Sequence, residues 1–584
     1  MELIYLYIED DGRNIKDCEF NFSPEYRFHY NKKNNELTGE KLDFVENFWE
    51  AVNISNITAV IGKNGAGKSN FLHLITNSLD IKKNVVYVKK VGSGYLNIYS
   101  TIQELKNNLN LQCDFLSQSL AICSPTIFYN TNVYNHLVHV DINSIDVSIQ
   151  KNVIEDSARF IRKESIYANN IWLYHSYSNT IKQLEFLIDY PKIDQIKLPE
   201  KCFIRSSFMP LSRTDSYNKQ LREFSSKLSK FVANSMNGEQ KAGRTNVEKA
   251  YLYASLIYEL YCYCLDSDIE LDWGDPTFLH YYARSYIISS IFQKNQDKEI
   301  GTLLIEMIQL IESSDMEYDN KNNGFLVSFH SAQLLFNKYF KLISLYKEKI
   351  RTKSESERNT QYLQKEVFEQ KLDIEWEYNM SSGEQMYLSF YSNIYYAKKK
   401  LKKKADYLYL VMDEPEIAFH PEWQRNFISN LVNFISEIFT EYKVQLIIAS
   451  HSPILVSDFP KNNIIFLNKD ENGNCKVEPS ISRNNTFGAN IHTLYRNSFF
   501  LDGIPIGQFA KNKINKLFDI LENEKEINDD ILNRIQLIGE PLIRNQLMKL
   551  YRYKKGLPED TERRIKKLEE EIEILKSKLK NDKN

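Results

Sequence analysis

Gly62-Lys63-Asn64-Gly65-Ala66-Gly67-Lys68-Ser69 constrains this chain more than any other stretch, because it fits the pattern G-x-x-x-x-G-K-[ST]. It follows an apolar run, Ile57 to Ile61, and precedes Phe71, Leu74, Ile75 and Leu79 at helical spacing. A strand, a glycine loop and a helix in that order make a phosphate cradle. The glycines let backbone N–H groups turn inward at a helix N-terminus, Lys68 directs a point charge toward the β and γ phosphates, and Ser69 offers a hydroxyl to Mg²⁺. Gly62 to Ser69, with Asn70 next in the helix, are therefore the predicted ATP-binding residues.

A second segment completes that chemistry. Tyr407 to Met412 is an apolar run suited to a buried parallel strand, and it ends in Asp413-Glu414. Carboxylates at the carboxyl end of such a strand sit where α/β sheets bind ligands. Asp413 is expected to hold Mg²⁺ together with Ser69, and Glu414 to polarise the water that attacks the γ-phosphate. Met380-Ser381-Ser382-Gly383-Glu384-Gln385 opens a further helix, in which Met386, Phe390, Ile394 and Ala397 share a face. Ser381 read alone is an N-cap.

The order of these segments resembles the ABC-type ATPases of the SMC and RecF branch. Ser381 to Gln385 is similar to the signature motif. Asp413-Glu414-Pro415-Glu416 with His420-Pro421-Glu422-Trp423 is similar to the Walker B and D-loop region, and Ile447 to Pro453 to the switch-histidine strand. The resemblance implies an α/β fold, a split P-loop ATPase head with a large, mostly helical insertion and a short C-terminal helical tail. It also implies that two heads sandwich two nucleotides, with Lys68, Ser69, Asp413, Glu414 and the γ-phosphate sensor His451 of one copy facing Ser381, Ser382, Gly383 and Glu384 of another. Supplying a helix N-terminus in trans makes ATP the link of a dimer that hydrolysis releases.

Further segments, Thr486 to Leu494, Ser498 to Leu501 and Ile538 to Arg544, resemble the ATPase subunits of anti-phage systems of the Septu kind, including retron-associated ones. Those ATPases work with a separate HNH nuclease, so the resemblance implies a homodimer or higher oligomer that regulates such a partner. Nucleic acid would then be met directly or through that partner. The chain itself is not expected to cut DNA: Asp529-Asp530 has no preceding apolar strand, and no HNH-like histidine cluster occurs. Two other readings stay open, a RecF-like repair ATPase that binds DNA directly and a nucleotide-gated scaffold.

The expected organisation is a head formed from 1–140 and 371–550, a helical insertion at 141–370, and an amphipathic helix at 551–584. In that last segment Ile565, Leu568, Ile572, Leu575 and Leu579 form a short heptad seam. With 584 residues there is room for three or four folding units at about 150 residues each. The 74 Lys and Arg against 77 Asp and Glu leave a net charge of −3, so attraction to nucleic acid must come from local patches. Lys398 to Lys404 is the most cationic of these, and reads first as a solvated helix end. Seven cysteines without a C-x-x-C pair argue against a disulfide framework or a zinc site, and Cys262 and Cys264 read as packing residues. No apolar run is long enough to span a bilayer and no leader is visible, so the expected location is the cytoplasm, with no membrane contact.

Overall fold

The computed structural model describes residues 1–77, 84–92, 94–116, 122–131, 144–148, 168–206 without 191 and 194, 223, 226, 252, 256, 298–313, 316–319, 321, 324–352, 372–401, 405–480, 484–497, 506–523, 528 and 530–556. The chain divides into two compact units, Met1–Phe500 and Leu501–Asn584, and that boundary falls inside the 371–550 segment. Among the described residues no helix is long and apolar enough to cross a membrane.

The first unit is mixed α/β. Its central sheet has seven strands in the order 145–146, 126–130, 407–413, 443–450, 54–62, 464–469 and 475–478, all parallel except the last. Strands from both sides of the 141–370 region thus share one sheet. Its inner strands read as continuous apolar runs because both faces are covered. Ile57, Ala59 and Ile61 pack into a core with the helices Ser382–Lys400 and Pro421–Ile438, whereas Val60 packs on the other face with Phe71, Leu72 and Ile75 of the helix Lys68–Thr76.

A five-stranded sheet closes that second face. Its opening hairpin, Glu2–Asp10 with Lys16–Asn21, is antiparallel as the alternation of Cys18, Phe20 and Phe22 predicts. Glu2–Asp10 is buried on both sides: Leu3, Leu6 and Ile8 join the core under the helix Lys68–Thr76, and Ile4, Tyr5 and Tyr7 join a separate core with Phe28, Tyr30 and Val88. A bulge between Leu3 and Tyr5 puts Ile4 and Tyr5 on the same side and restores the alternation beyond it.

The described part of 141–370 holds more than helices. Ala168–Asp189, Lys298–Ser313 and Phe329–Thr352 are helical, but Lys201–Ser206, Glu317–Asp319 and Gly324–Ser328 are strands of a four-stranded antiparallel sheet. Its fourth strand is Leu372–Trp376, where the sequence alternates as expected; it pairs with Lys201–Ser206 and not with the central sheet. Cys202 and Ile204, both fully buried, give that pairing its apolar face. The helix Ala168–Asp189 lies along Ser382–Lys400, joined by Asn179 and Gln183 to the Ser389 hydroxyl at 2.9 and 2.7 Å. The first part of the basic run is tied into this contact: Lys399 reaches Glu185 at 2.8 Å and Asp189 at 2.5 Å. Residues 402–404 of the run lie outside the described residues, as do Cys262, Cys264 and Ser498 to Leu501.

The second unit contains the helices Gln508–Asn523, Asp530–Gln536 and Pro541–Lys554 around Leu517, Leu521, Ile531, Ile535, Ile543, Leu547 and Tyr551. The heptad segment that follows lies outside the described residues.

Candidate functional site

Parallel pairing sets the site. Ser450 pairs with Ile61 and Ala449 with Asp413, so the glycine loop, the acidic pair and His451 leave the sheet side by side at its carboxyl edge. Asn130 ends the next strand, in register with Asp413.

The loop conformation requires its glycines. Gly65 and Gly67 have φ of 69° and 99°, the left-handed region that other residues enter at a cost. At Gly62 an added Cβ would lie 2.3 Å from the Leu467 carbonyl oxygen of the adjacent strand. Gly67 caps the helix Lys68–Thr76 with no side-chain hydrogen bond, which leaves the first-turn N–H groups for an anion. Inside the loop, Lys68 donates to the Gly62 carbonyl at 3.1 Å and the Lys63 carbonyl at 3.4 Å. Burial pushes Lys68 down to about 8, opposed by Glu414 and Asp413.

Asp413 is 2% exposed, and its Oδ2 accepts from Asn130 Nδ2 at 3.3 Å. Burial raises its carboxyl to about 6, while the hydrogen bond from the Ser69 hydroxyl holds it lower than burial alone would. Its Oδ1 is buried with no hydrogen-bond partner. A buried carboxylate with one orphaned oxygen and a serine hydroxyl on the same group fits a hard divalent cation, and these are the residues that would hold Mg²⁺. A bound Mg²⁺ supplies charge neutralisation for the β and γ phosphates.

Glu414 has φ 51°, a strained conformation for a residue with a side chain. Two contacts hold it there: its N–H donates to the Ala449 carbonyl at 2.9 Å, and its own carbonyl accepts from Thr131 Oγ1 at 3.1 Å. The turn directs the carboxylate to His451, with Oε1 3.3 Å from Nε2. Burial, then the charge of Lys68, push His451 down to about 4. With its pKa that far below neutrality, the imidazole is uncharged at pH 7. The contact is therefore not an ion pair. Glu416 lies behind, hydrogen-bonded by the Ser450 hydroxyl and raised by burial to about 7.

Ser381 to Glu384 stand at a separate helix start. Ser381 caps Ser382–Lys400 in a capping box: its Oγ accepts from Glu384 N at 3.3 Å, and its own N–H donates to Glu384 Oε2 at 2.7 Å. The hydroxyl proton is left to donate elsewhere. Ser381 and Ser382 are exposed. Gly383 admits Trp423, whose ring would lie 3.0 Å from a Cβ there.

The sequence reading missed several neighbours of the loop. Asn14 in the opening hairpin accepts from Asn70 Nδ2 at 2.7 Å, and its amide would lie 2.8 Å from a Cβ at Gly67. Lys469 Nζ would lie 2.7 Å from a Cβ at Gly65, adding a cation to the cradle. Asn130 and Thr131 follow a run that reads as a strand, so their place at a strand end was the available signal.

A glycine loop between a parallel strand and a helix, with an acidic pair at the end of a nearby parallel strand, defines a P-loop nucleotide-binding protein. A family model for an AAA ATPase domain matches residues 45–456, well over half the chain, and the chain belongs to that family. Membership gives it an ATPase role. No curated protein matches it.

Proposed function

We propose that two copies of this chain close around two ATP molecules, each Ser381-capped helix facing the γ-phosphate held by the other copy, and that this ATP-controlled pairing regulates an associated HNH-type nuclease in anti-phage defence. The observation that carries the pairing is the exposed helix start at Ser381, where the N-terminal end of the helix and a spare hydroxyl proton suit an anion. Within each copy, Lys68 and the loop N–H groups bind the phosphates, Glu414 takes the proton of the attacking water, and neutral His451 donates to the γ-phosphate. The nuclease partner and the defence role rest on the family resemblance of 486–494, 498–501 and 538–544.

Light scattering tests the pairing. Glu414→Gln with ATP and Mg²⁺ should double in mass, and Lys68→Ala should not. A Glu414→Gln protein whose mass ignores ATP, with nucleotide bound, overturns the sandwich. Mass spectrometry of the tagged chain drawn from its native host tests the partner: a stoichiometric HNH-type protein is expected, and a chain that emerges alone removes that part.

A further inference from the structure

Cys18 lies on the strand Lys16–Asn21 and Cys475 opens the strand Cys475–Glu478, and the two strands meet beside the glycine loop. Ile15 bridges to Cys475, whose N–H donates to the Asn14 carbonyl at 2.6 Å. Cys18 Sγ lies 3.3 Å from the Cys475 carbonyl oxygen and 3.3 Å from that of Lys16, which sets its sulfur against the Cys475 residue. Each is 4% exposed, yet both line a cavity of about 520 Å³ walled also by Arg27, Asp470 and Glu478. A polar cavity of that size admits water and small oxidants.

We infer that Cys18 and Cys475 are a modification site, a dithiol that a peroxide closes to a disulfide, and that closure weakens nucleotide binding through Asn14. Cys18 is the attacking sulfur: the hydrogen bond from Cys475 holds it below the ordinary thiol range, whereas burial raises Cys123 and Cys202 to about 12. The Cys18 thiolate attacks one peroxide oxygen, the O–O bond breaks, and the departing oxygen leaves as water after taking a proton. Cys475 then displaces the hydroxyl from the resulting sulfenic acid as a second water, so two thiols and one peroxide give one disulfide and two waters.

Closure makes a sulfur–sulfur bond of about 2.05 Å between the two strands, which draws them together. Asn14 is the connection: its backbone holds Cys475, and its side chain touches Asn70 and the wall at Gly67. This second step rests on the nucleotide reading of the glycine loop, and the first does not.

The experiment treats the full chain with hydrogen peroxide or dithiothreitol, digests it without reduction, and measures affinity for a non-hydrolysable ATP analogue. Expected are a Cys18–Cys475 linked peptide and a three- to tenfold loss of affinity that dithiothreitol reverses. Cys18→Ser and Cys475→Ser should each bind as the reduced chain does and lose both effects. Oxidation of exposed Cys113 with no linked peptide overturns the site, and a linked peptide with unchanged affinity overturns the coupling. Failure of the reduced chain to bind the analogue strikes the nucleotide reading, while the linked peptide still reads the dithiol.

Discussion

His451 Nε2 stands 3.3 Å from Glu414 Oε1, across the ends of two adjacent parallel strands. Glu414 reaches that position through a left-handed backbone held by Ala449 and Thr131, so the carboxylate is aimed before any substrate arrives. With the imidazole neutral, the pair offers a carboxylate to accept a proton and a ring N–H to donate one.

Glu414→Gln keeps the shape and removes the proposed base. Turnover should fall by about 10² to 10³-fold while ATP affinity stays within about threefold. Phosphate release in a single turnover, set beside nucleotide binding, checks this; equal turnover in variant and parent would take Glu414 out of the chemistry.

Lys68 supplies a proton test of nucleotide binding. Its ammonium is pushed down to about 8 by burial, and bound phosphates restore it, so binding takes up protons as pH rises through that value. Uptake should grow from roughly a quarter of a proton at pH 7.5 to about three quarters at pH 8.5. Calorimetry in two buffers of different ionisation enthalpy measures the count, and Lys68→Arg should abolish the rise. A flat count in the parent would mean that Lys68 stays charged without nucleotide.

The legible parts of this chain were those encoded locally. The glycine loop, Asp413-Glu414 and His451 announce themselves because each follows an apolar strand, and a strand end is where such side chains act. What a strand pairs with is not local. Leu372–Trp376 alternates visibly, but its partner Lys201–Ser206 lies far back in the chain, so it read as part of the second α/β block. Asn130 and Asn14 escaped for the same reason, since only the sheet order brings them to Asp413 and Gly67. The left-handed Glu414 is set by contacts from Thr131 and Ala449, which no local pattern around Asp413-Glu414 displays.

Ser381 has two duties that one substitution separates. Its Oγ caps the helix Ser382–Lys400, and its free hydroxyl proton is the proposed contact with a phosphate in trans. Aspartate caps as well as serine, so Ser381→Asp should leave stability within about 0.5 kcal/mol, whereas Ser381→Ala should cost about 1 kcal/mol. Only the aspartate brings a negative charge toward the nucleotide. Ser381→Asp should therefore melt as the parent does and fail to pair with ATP in sedimentation; ATP-driven pairing that survives it would place the contact elsewhere.

Asp458 ends the turn after the short helix Pro453–Val456 and lines the wide cavity of about 1520 Å³ beneath Trp49 and Phe487. Burial alone raises its carboxyl to about 6. Because the folded value lies above the unfolded one, Asp458 contributes stability that is complete below about pH 4 and is lost as pH rises through about 6. Asp458→Asn removes the charge without emptying the site. It should raise the melting temperature by about one to two degrees at pH 8, the partial exposure of the group keeping the gain small, and leave it unchanged at pH 4. An equal gain at both pH values would trace the effect to packing, and a loss at pH 8 would show that the carboxylate has a partner that the asparagine cannot serve.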